Sequence, residues 1–457
     1  MFFNQKGAHL KRIIDHFLAE WKQDDSRKPL LIRGARQVGK TYSVRKLGTS
    51  YSDFAEINLE LKTDAQQVFE KDLDPIRICR ELSLIIKKPI TPGKTLLFFD
   101  EIQAVPRAII ALRYFYEMLP KLHVIAAGSL LDFAIEEVGM PVGRVQFLYM
   151  HPLSFIEYLA AMGDTLIVDE IVHHKPDQEI SSVIHTKLLG LLGEYLALGG
   201  MPDVVQNWVT KKDPLACTKI HHTLLNSYRQ DFAKYARKLQ IKYVELMFKH
   251  IPMQLGRKFK YSLIEGDYRK RELAPALDLL VTAGIAHKVY YSAGQGISLG
   301  AQINPLDYKI IFLDTGLAQA LLDLDIAQWF LHPENEFINK GSLVEAFIGQ
   351  ELLIYDNPHI TNDIYYWHKD TGGQAKIDYL IQVNATVIPV EVKSGLGRTL
   401  KSMNIFLETH VNSPYGIRFS VQNYSIHNAI HSYPLYAVAK IICDKNQDIK
   451  QAIEKLV

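Results

Sequence analysis

Near the start of the chain, Leu10, Ile13, Ile14, Phe17, Leu18 and Trp21 recur at the spacing of one helical face and predict an amphipathic helix. A polar stretch, KQDDSRK, separates it from the apolar run PLLIR. From there to about residue 150, five short runs, PLLIR, FAEINLE, TLLFFDE, HVIAAGS and VQFLYMH, alternate with helical patterns. That alternation predicts an α/β fold, a parallel sheet with helices on its faces. Residues 151–235 carry Leu, Ala and Tyr at helical spacing with few strand signals and predict an all-helical lid beside the sheet.

Residues 236–325 combine helical patterns with a basic stretch, GRKFKYSLIEGDYRKREL, and then AHKVYYSAGQGISLGAQ, which reads as a hairpin with a glycine-containing turn. Helices followed by a hairpin predict a winged helix. Residues 326–457 turn to an α+β pattern: the helix GSLVEAFIGQELLIY, then the strands IYYWHK, KIDYLIQV and TVIPVEVKS. No repeat and no Pro/Gly/Ser-rich linker separates the four parts, so their boundaries are soft.

Composition changes this picture little. The 457 residues suffice for about three domains, and a net charge of +2 means that any nucleic-acid surface must be a local cluster. The three cysteines, Cys79, Cys217 and Cys443, stand far apart, which argues against a disulfide framework or a structural zinc site and fits a reducing cytoplasm. No stretch approaches eighteen uninterrupted apolar residues, so a cytoplasmic chain without a transmembrane segment is expected.

Gly34, Ala35, Arg36, Gln37, Val38, Gly39, Lys40 and Thr41 fit G-x-x-x-x-G-K-[ST] between an apolar strand and a helical pattern. In such a loop, successive backbone N–H groups face phosphate oxygens, Lys40 reaches the β and γ phosphates, and the Thr41 hydroxyl ligates Mg²⁺. TLLFFDEIQ then ends a buried strand on two carboxylates. Asp100 would hold Mg²⁺ through water, and Glu101 would orient the attacking water. ATP and Mg²⁺ are the expected cofactors. Ser129 ends the next strand as a sensor hydroxyl, and Arg144 is the candidate to counter transition-state charge, within this subunit or from a neighbour in a homo-oligomer. Arg107 and Arg113 read as surface or interface residues.

Between Arg257 and Arg271, six cations are interleaved with Phe259, Tyr261 and Tyr268. Two readings stand: a winged-helix contact to the phosphates of double-stranded DNA, or a solvated face diluted by Glu265, Asp267 and Glu272. Asp314 in FLDTGL reads as the cap of a helix beginning near Leu317 rather than as a lone protease-type aspartate. The histidines show no zinc-ligand spacing. In TVIPVEVKSG, Glu391 and Lys393 sit two apart and share one strand face, either as an ordinary ion pair or as part of a metal-binding constellation.

GARQVGKT, LLFFDEIQ, AAGSLL, VGRVQFLYMHPLSFIEY, LALGGMPDVV, KIIFLDTGL and SLVEAFIGQELL together resemble prokaryotic AAA-type ATPases joined to a C-terminal domain long labelled as of unknown function. The resemblance runs from about residue 10 to 440 and implies a P-loop ATPase core, a winged-helix segment and a restriction-endonuclease-like C-terminal domain. Nucleases of the PD-(D/E)XK type carry an acidic residue on one strand, (D/E)-x-K on the next and often a Glu on a preceding helix. Asp378, Glu391, Lys393 and Glu345 fall in that order, with Ile377 where the eponymous proline would stand. The implied chemistry is phosphodiester cleavage, with Glu345, Asp378 and Glu391 on Mg²⁺ or Mn²⁺ and Lys393 offsetting charge on the phosphate. The alternative is an ATP-gated module that binds nucleic acid or protein without cutting, or a nucleotide-controlled oligomer.

Overall fold

The computed structural model describes residues 10–129, 131–139, 141, 143–235, 238–361, 363–369, 375–395 and 400–457. Each of the five apolar runs of the first part forms a strand: β1 (Leu30–Arg33), β2 (Asp53–Asn58), β3 (Thr95–Asp100), β4 (His123–Ala127) and β5 (Gln146–Tyr149). They make one sheet in the order β2-β3-β4-β1-β5, with every pairing parallel. Every residue of β3 and β4 is buried, because helices cover both faces of the sheet. The chain leaves β1 into the phosphate loop, with β4 on one side and β5 on the other, the place where open α/β sheets present their ligand crevice.

Five helices follow between Phe155 and Tyr235, as the pattern predicts. The helix Phe155–Ala161 is fixed at its N-terminus by carboxylates. Ser154 and Glu157 form a capping box, with the Ser154 N–H donating to Glu157 Oε2 (2.8 Å). Glu157 Oε1 also accepts from Ile13 N (2.7 Å) and Arg12 Nε (2.9 Å), while Arg12 donates onward to Val38 O (2.9 Å) and His151 O (2.7 Å). Phe155 N donates to Glu351 Oε1 (2.9 Å), which arrives from the helix Gly341–Ile354. The segment PLSFIEY is therefore the junction of the first helix, the phosphate loop and the C-terminal part.

The hairpin β6 (Ala286–Ser292) and β7 (Ile303–Phe312) is present but is not a free wing. β6 pairs in parallel with β8 (Ile364–His368), so the hairpin forms one end of an eight-stranded sheet. The rest of that sheet is β9 (Lys376–Val383), β10 (Thr386–Lys393), β11 (Gly416–Ser420), β12 (Ser425–His427) and β13 (Ile430–Pro434), in the order β12-β13-β11-β10-β9-β8-β6-β7. The division expected near residue 325 thus runs through a single sheet. Hydrogen bonding across that boundary explains why composition shows no linker there.

One hydrophobic core runs from Leu10 and Trp21 through Leu192 and Phe248 to Ile388 and Leu456. The last helix, Gln447–Glu454, packs on the first, Ile13–Gln23, with Lys455 Nζ donating to His16 Nδ1 (2.7 Å) and Lys11 Nζ to Leu456 O (2.9 Å). Asp314 caps its helix through Leu317 N (2.9 Å), as its sequence position predicts, and also accepts from Gly200 N (2.6 Å). No helix among the described residues is long and apolar enough to cross a membrane.

The two carboxylates at the start of helix Phe155–Ala161 are predicted to respond differently to amidation. Burial pushes Glu351 up to about 8, so it is largely protonated at pH 7 and Glu351→Gln is expected to cost less than about 1 kcal/mol. Glu157→Gln leaves the buried Arg12 guanidinium without its counter-charge and is expected to cost about 3 kcal/mol. Urea denaturation of both variants at pH 7 checks this; equal losses would contradict the assignment.

Candidate functional site

The phosphate loop bends through left-handed backbone at Gly34, Gln37 and Gly39, with φ of 144°, 63° and 103°. Gly34 admits no side chain, because a Cβ there would lie 2.2 Å from Met150 O. Lys40 opens the helix Lys40–Gly48, and its buried ammonium donates to Gly34 O (2.8 Å) and Ala35 O (2.7 Å). Val38 is buried under the loop, and its carbonyl is the atom that Arg12 holds. Arg36 forms an ion pair with Asp231, and its carbonyl accepts from Tyr228 Oη (2.7 Å), so the long helix Pro214–Tyr235 grips the loop from outside.

Thr41 Oγ1 donates to both oxygens of Asp100 (3.1 and 3.2 Å). A hydroxyl and a carboxylate in contact beside a lysine are the hard oxygen set that suits Mg²⁺ with phosphate, so the residues fit the expected cofactor. Glu101 takes left-handed backbone, φ 51°, and its Oε2 accepts from Gln103 Nε2 (2.5 Å). Gln103 fits there only because residue 128 is glycine: a Cβ on Gly128 would lie 2.1 Å from Gln103 Oε1. Through that contact, Glu101 is linked to the end of β4, where Ser129 stands.

Gly39, Lys40, Thr41, Asp100, Glu101 and Ser129 line one cavity of about 440 Å³. Arg36, Gln37 and Tyr42 line it as well, and further wall comes from Leu10, Arg12, Pro202, Asp203 and Gln206, none of which stands out as a site residue in the sequence. The signal for two of them, Pro202 and Asp203, was the segment LALGGMPDVV, whose glycine turn starts the helix Pro202–Lys211 at this wall. Arg144 is not brought to the cavity. It is exposed and pairs with Glu117 Oε1 (2.9 Å) at the end of helix Pro106–Met118. A role within its own subunit therefore has no geometric support.

The basic stretch is divided. Lys258 pairs with Asp307 Oδ2 (2.5 Å), and Phe259 is buried, stacked on Tyr308 at 6.2 Å. Arg269, Lys270 and Arg271 are exposed at the start of helix Lys270–Thr282, against the helix dipole, which favours anions at that end.

In the C-terminal sheet, the shared face of β10 is confirmed: Lys393 Nζ lies 2.6 Å from Glu391 Oε1. Glu391 Oε2 is buried without a hydrogen-bond partner. Burial raises the Glu391 carboxyl above its usual range while Lys393 pulls the other way. Glu345 and Asp378 do come together, but through lysines. Lys309 Nζ contacts Glu345 Oε1 (2.5 Å), and Lys376 Nζ bridges Glu345 Oε2 (3.3 Å) and Asp378 Oδ1 (3.0 Å). Asp378 Oδ2 accepts from Val392 N (2.9 Å). Burial raises Glu345, whereas Lys376 and Lys309 outweigh burial at Asp378 and hold it low.

The expected metal site on Glu345, Asp378 and Glu391 finds no support among the described residues. All four oxygens of the first two already take protein donors, and among the described residues no three His, Cys, Asp or Glu side chains are grouped to hold a metal ion. The two ammoniums already offset the charge of the two carboxylates, so a divalent ion would have to displace them before it bound. Mg²⁺ or Mn²⁺ does not fit this cluster as built.

Residues 26–159 match the family model of an AAA domain, which supports an AAA-type ATPase domain over this part of the chain. Residues 189–328 and 340–438 match two domains of unknown function, DUF8612 and DUF4143. No curated protein matches the chain. Among solved structures it is similar to that of Drosophila ORC bound to DNA, at 13% identity over 68% of this chain and 85% of that one, with a TM-score of 0.25. It is also similar to a signal transduction ATPase with numerous domains (STAND) protein with a tetratricopeptide repeat sensor from Pyrococcus horikoshii, at 12% identity over 74% and 47%, with a TM-score of 0.23. Neither score establishes a shared whole-chain fold.

Burial lowers Lys40 to about 8 in the nucleotide-free protein. Phosphates favour the charged form, so bound nucleotide raises this value, and ATP affinity is expected to fall by up to about tenfold per pH unit above 8. Titration with a fluorescent nucleotide at about pH 7 and about pH 9.5, on either side of that value, checks it. Affinity unchanged across the interval would contradict the role of the Lys40 proton.

Proposed function

We propose that the chain is an ATP-hydrolysing switch that passes its nucleotide state to a C-terminal module able to bind double-stranded DNA without cutting it. The observation that carries the ATPase reading is the convergence of Lys40, Thr41, Asp100, Glu101 and Ser129 on one cavity. Backbone N–H groups of Gly34 to Thr41 cradle the phosphates and Lys40 offsets their charge. Thr41 and Asp100 hold Mg²⁺, which, when bound, shields phosphate charge against the attacking water. Glu101 orients that water, Gln103 sets the position of Glu101, and Ser129 senses the γ-phosphate end of the cavity. Arg144 serves, in this reading, from a neighbouring copy in a homo-oligomer.

Support for transmission lies in the grip of helix Pro214–Tyr235 on the loop at Arg36. That helix leads to Lys238–His250, which packs on Lys270–Thr282, whose chain continues into β6 of the large sheet. The order helix Gly341–Ile354, β8, β9, β10, helix Lys401–Thr409, β11, with β9 and β10 antiparallel and β10 and β11 parallel, supports a restriction-endonuclease-like reading of the last part. The lysine-filled carboxylates favour binding over cleavage. Arg269, Lys270 and Arg271 are the proposed phosphate contacts, at a helix end that itself favours anions.

Glu101→Gln is expected to keep ATP binding and lose turnover by about a hundredfold or more, whereas Lys40→Ala loses binding. Phosphate release and nucleotide titration separate the two; full turnover in Glu101→Gln would sink the assignment. On plasmid with Mg²⁺ or Mn²⁺, wild type and Glu391→Ala are expected to nick equally little. A joint Arg269→Ala, Lys270→Ala, Arg271→Ala variant should weaken duplex binding and reduce its salt dependence. Wild-type nicking that Glu391→Ala abolishes would restore the nuclease reading.

A further inference from the structure

Lys309 is held in a site shaped for an ammonium. It lies on β7, outside the β9 and β10 strands that carry the nuclease-type residues, and its side chain reaches across the sheet into their cluster. Its Nζ donates to Glu345 Oε1 (2.5 Å) and to the backbone oxygen of Asp378 (2.8 Å). The same nitrogen lies 5.0 Å from the Tyr366 ring centroid and 4.9 Å from that of Tyr379. Two aromatic faces, a carboxylate and a carbonyl make a cage suited to an organic cation, while a hard divalent ion needs oxygen on most of its sides. Tyr379 is held in that position by its hydroxyl, which donates to Glu345 O (2.7 Å).

The neighbouring donors complete the occupation. Lys376 spends its ammonium on Glu345, Asp378 and Gly256 O (2.8 Å), the last in the turn that leads into the basic stretch. Lys309 is only 2% exposed, so its charge is neutralised by these groups and not by water.

We propose that the Lys309 and Lys376 ammoniums are the resident cations of the Glu345–Asp378 centre, taking the place of a divalent metal and closing the centre to it. The cluster then serves as a charged clasp that ties the β6–β7 hairpin and the Gly256 turn to the helix Gly341–Ile354 and to β9. This deepens the reading of the last part as a module that does not cut. It concerns metal and protein alone, so a failure to bind DNA leaves it standing.

The test is Mn²⁺ binding by full-length, nucleotide-free protein, read by the electron paramagnetic resonance signal of free Mn²⁺ and by thermal shift. Every variant carries Asp100→Asn, which silences the phosphate-loop site. With both lysines present, no Mn²⁺ uptake and no shift are expected. The Lys309→Ala, Lys376→Ala double variant is expected to gain about one Mn²⁺ per chain and several degrees of stability on metal addition, and further Asp378→Asn to abolish both. Uptake with both lysines present that Asp378→Asn removes would overturn the proposal. A folded double variant that stays blind to Mn²⁺ would do the same. Should the double variant not fold, the titration with both lysines present, compared with its Asp378→Asn variant, decides the matter alone.

Discussion

A single buried carboxylate, Glu157, holds the elements that shape the nucleotide loop. It accepts hydrogen bonds from the first helix, from its own helix start and from Arg12, and Arg12 passes the constraint to Val38 O beneath the loop. A phosphate loop works because its N–H groups converge before the ligand arrives, so the loop needs an external frame. Here that frame is ionic and buried, which makes it directional: Arg12 can satisfy Val38 O and His151 O only while Glu157 fixes its guanidinium. The outer side of the loop is held differently, by Tyr228 and Asp231 on one long helix.

That asymmetry gives the loop one fixed wall and one wall continuous with the rest of the chain. The continuous wall leads through packed helices to a hairpin that is hydrogen-bonded into the large sheet. A winged helix with a free hairpin would leave its motion uncoupled from the last part. The pairing of β6 with β8 instead makes the helices, the hairpin and the C-terminal strands one mechanical body over a shared core. The first and last helices close the same body from the other end.

The C-terminal cluster shows how far spacing alone carries chemistry. Glu391 and Lys393 share a face because strand side chains alternate, and their 2.6 Å contact follows from that period. Glu345 and Asp378 also meet, as the order of nuclease residues implies. What no spacing rule contains is Lys309, which lies 36 residues before Glu345 and 69 before Asp378 and reaches them only because the hairpin joins the sheet. A carboxylate pair read from sequence has no counter-charge assigned to it. The fold supplies ammoniums where a metal was expected.

The sequence by itself determined the parts whose physics is local. Strand runs such as TLLFFDEIQ, the phosphate loop between strand and helix, the Asp314 cap and the alternation around Glu391 all depend on neighbours within a few residues. Lys40, Thr41, Asp100, Glu101 and Ser129 line one cavity, and each stands at a strand end or at the helix start that the phosphate loop opens, which is local pattern. Only the tertiary structure decided the rest. It set Arg144 on Glu117 away from the cavity, placed Arg12 and Pro202 on the cavity wall, joined the hairpin to the C-terminal sheet and filled the carboxylate pair with lysines. Each of these depends on which charges and strand edges meet across long stretches of chain, where pairing is chosen by burial and competing partners that local pattern does not encode.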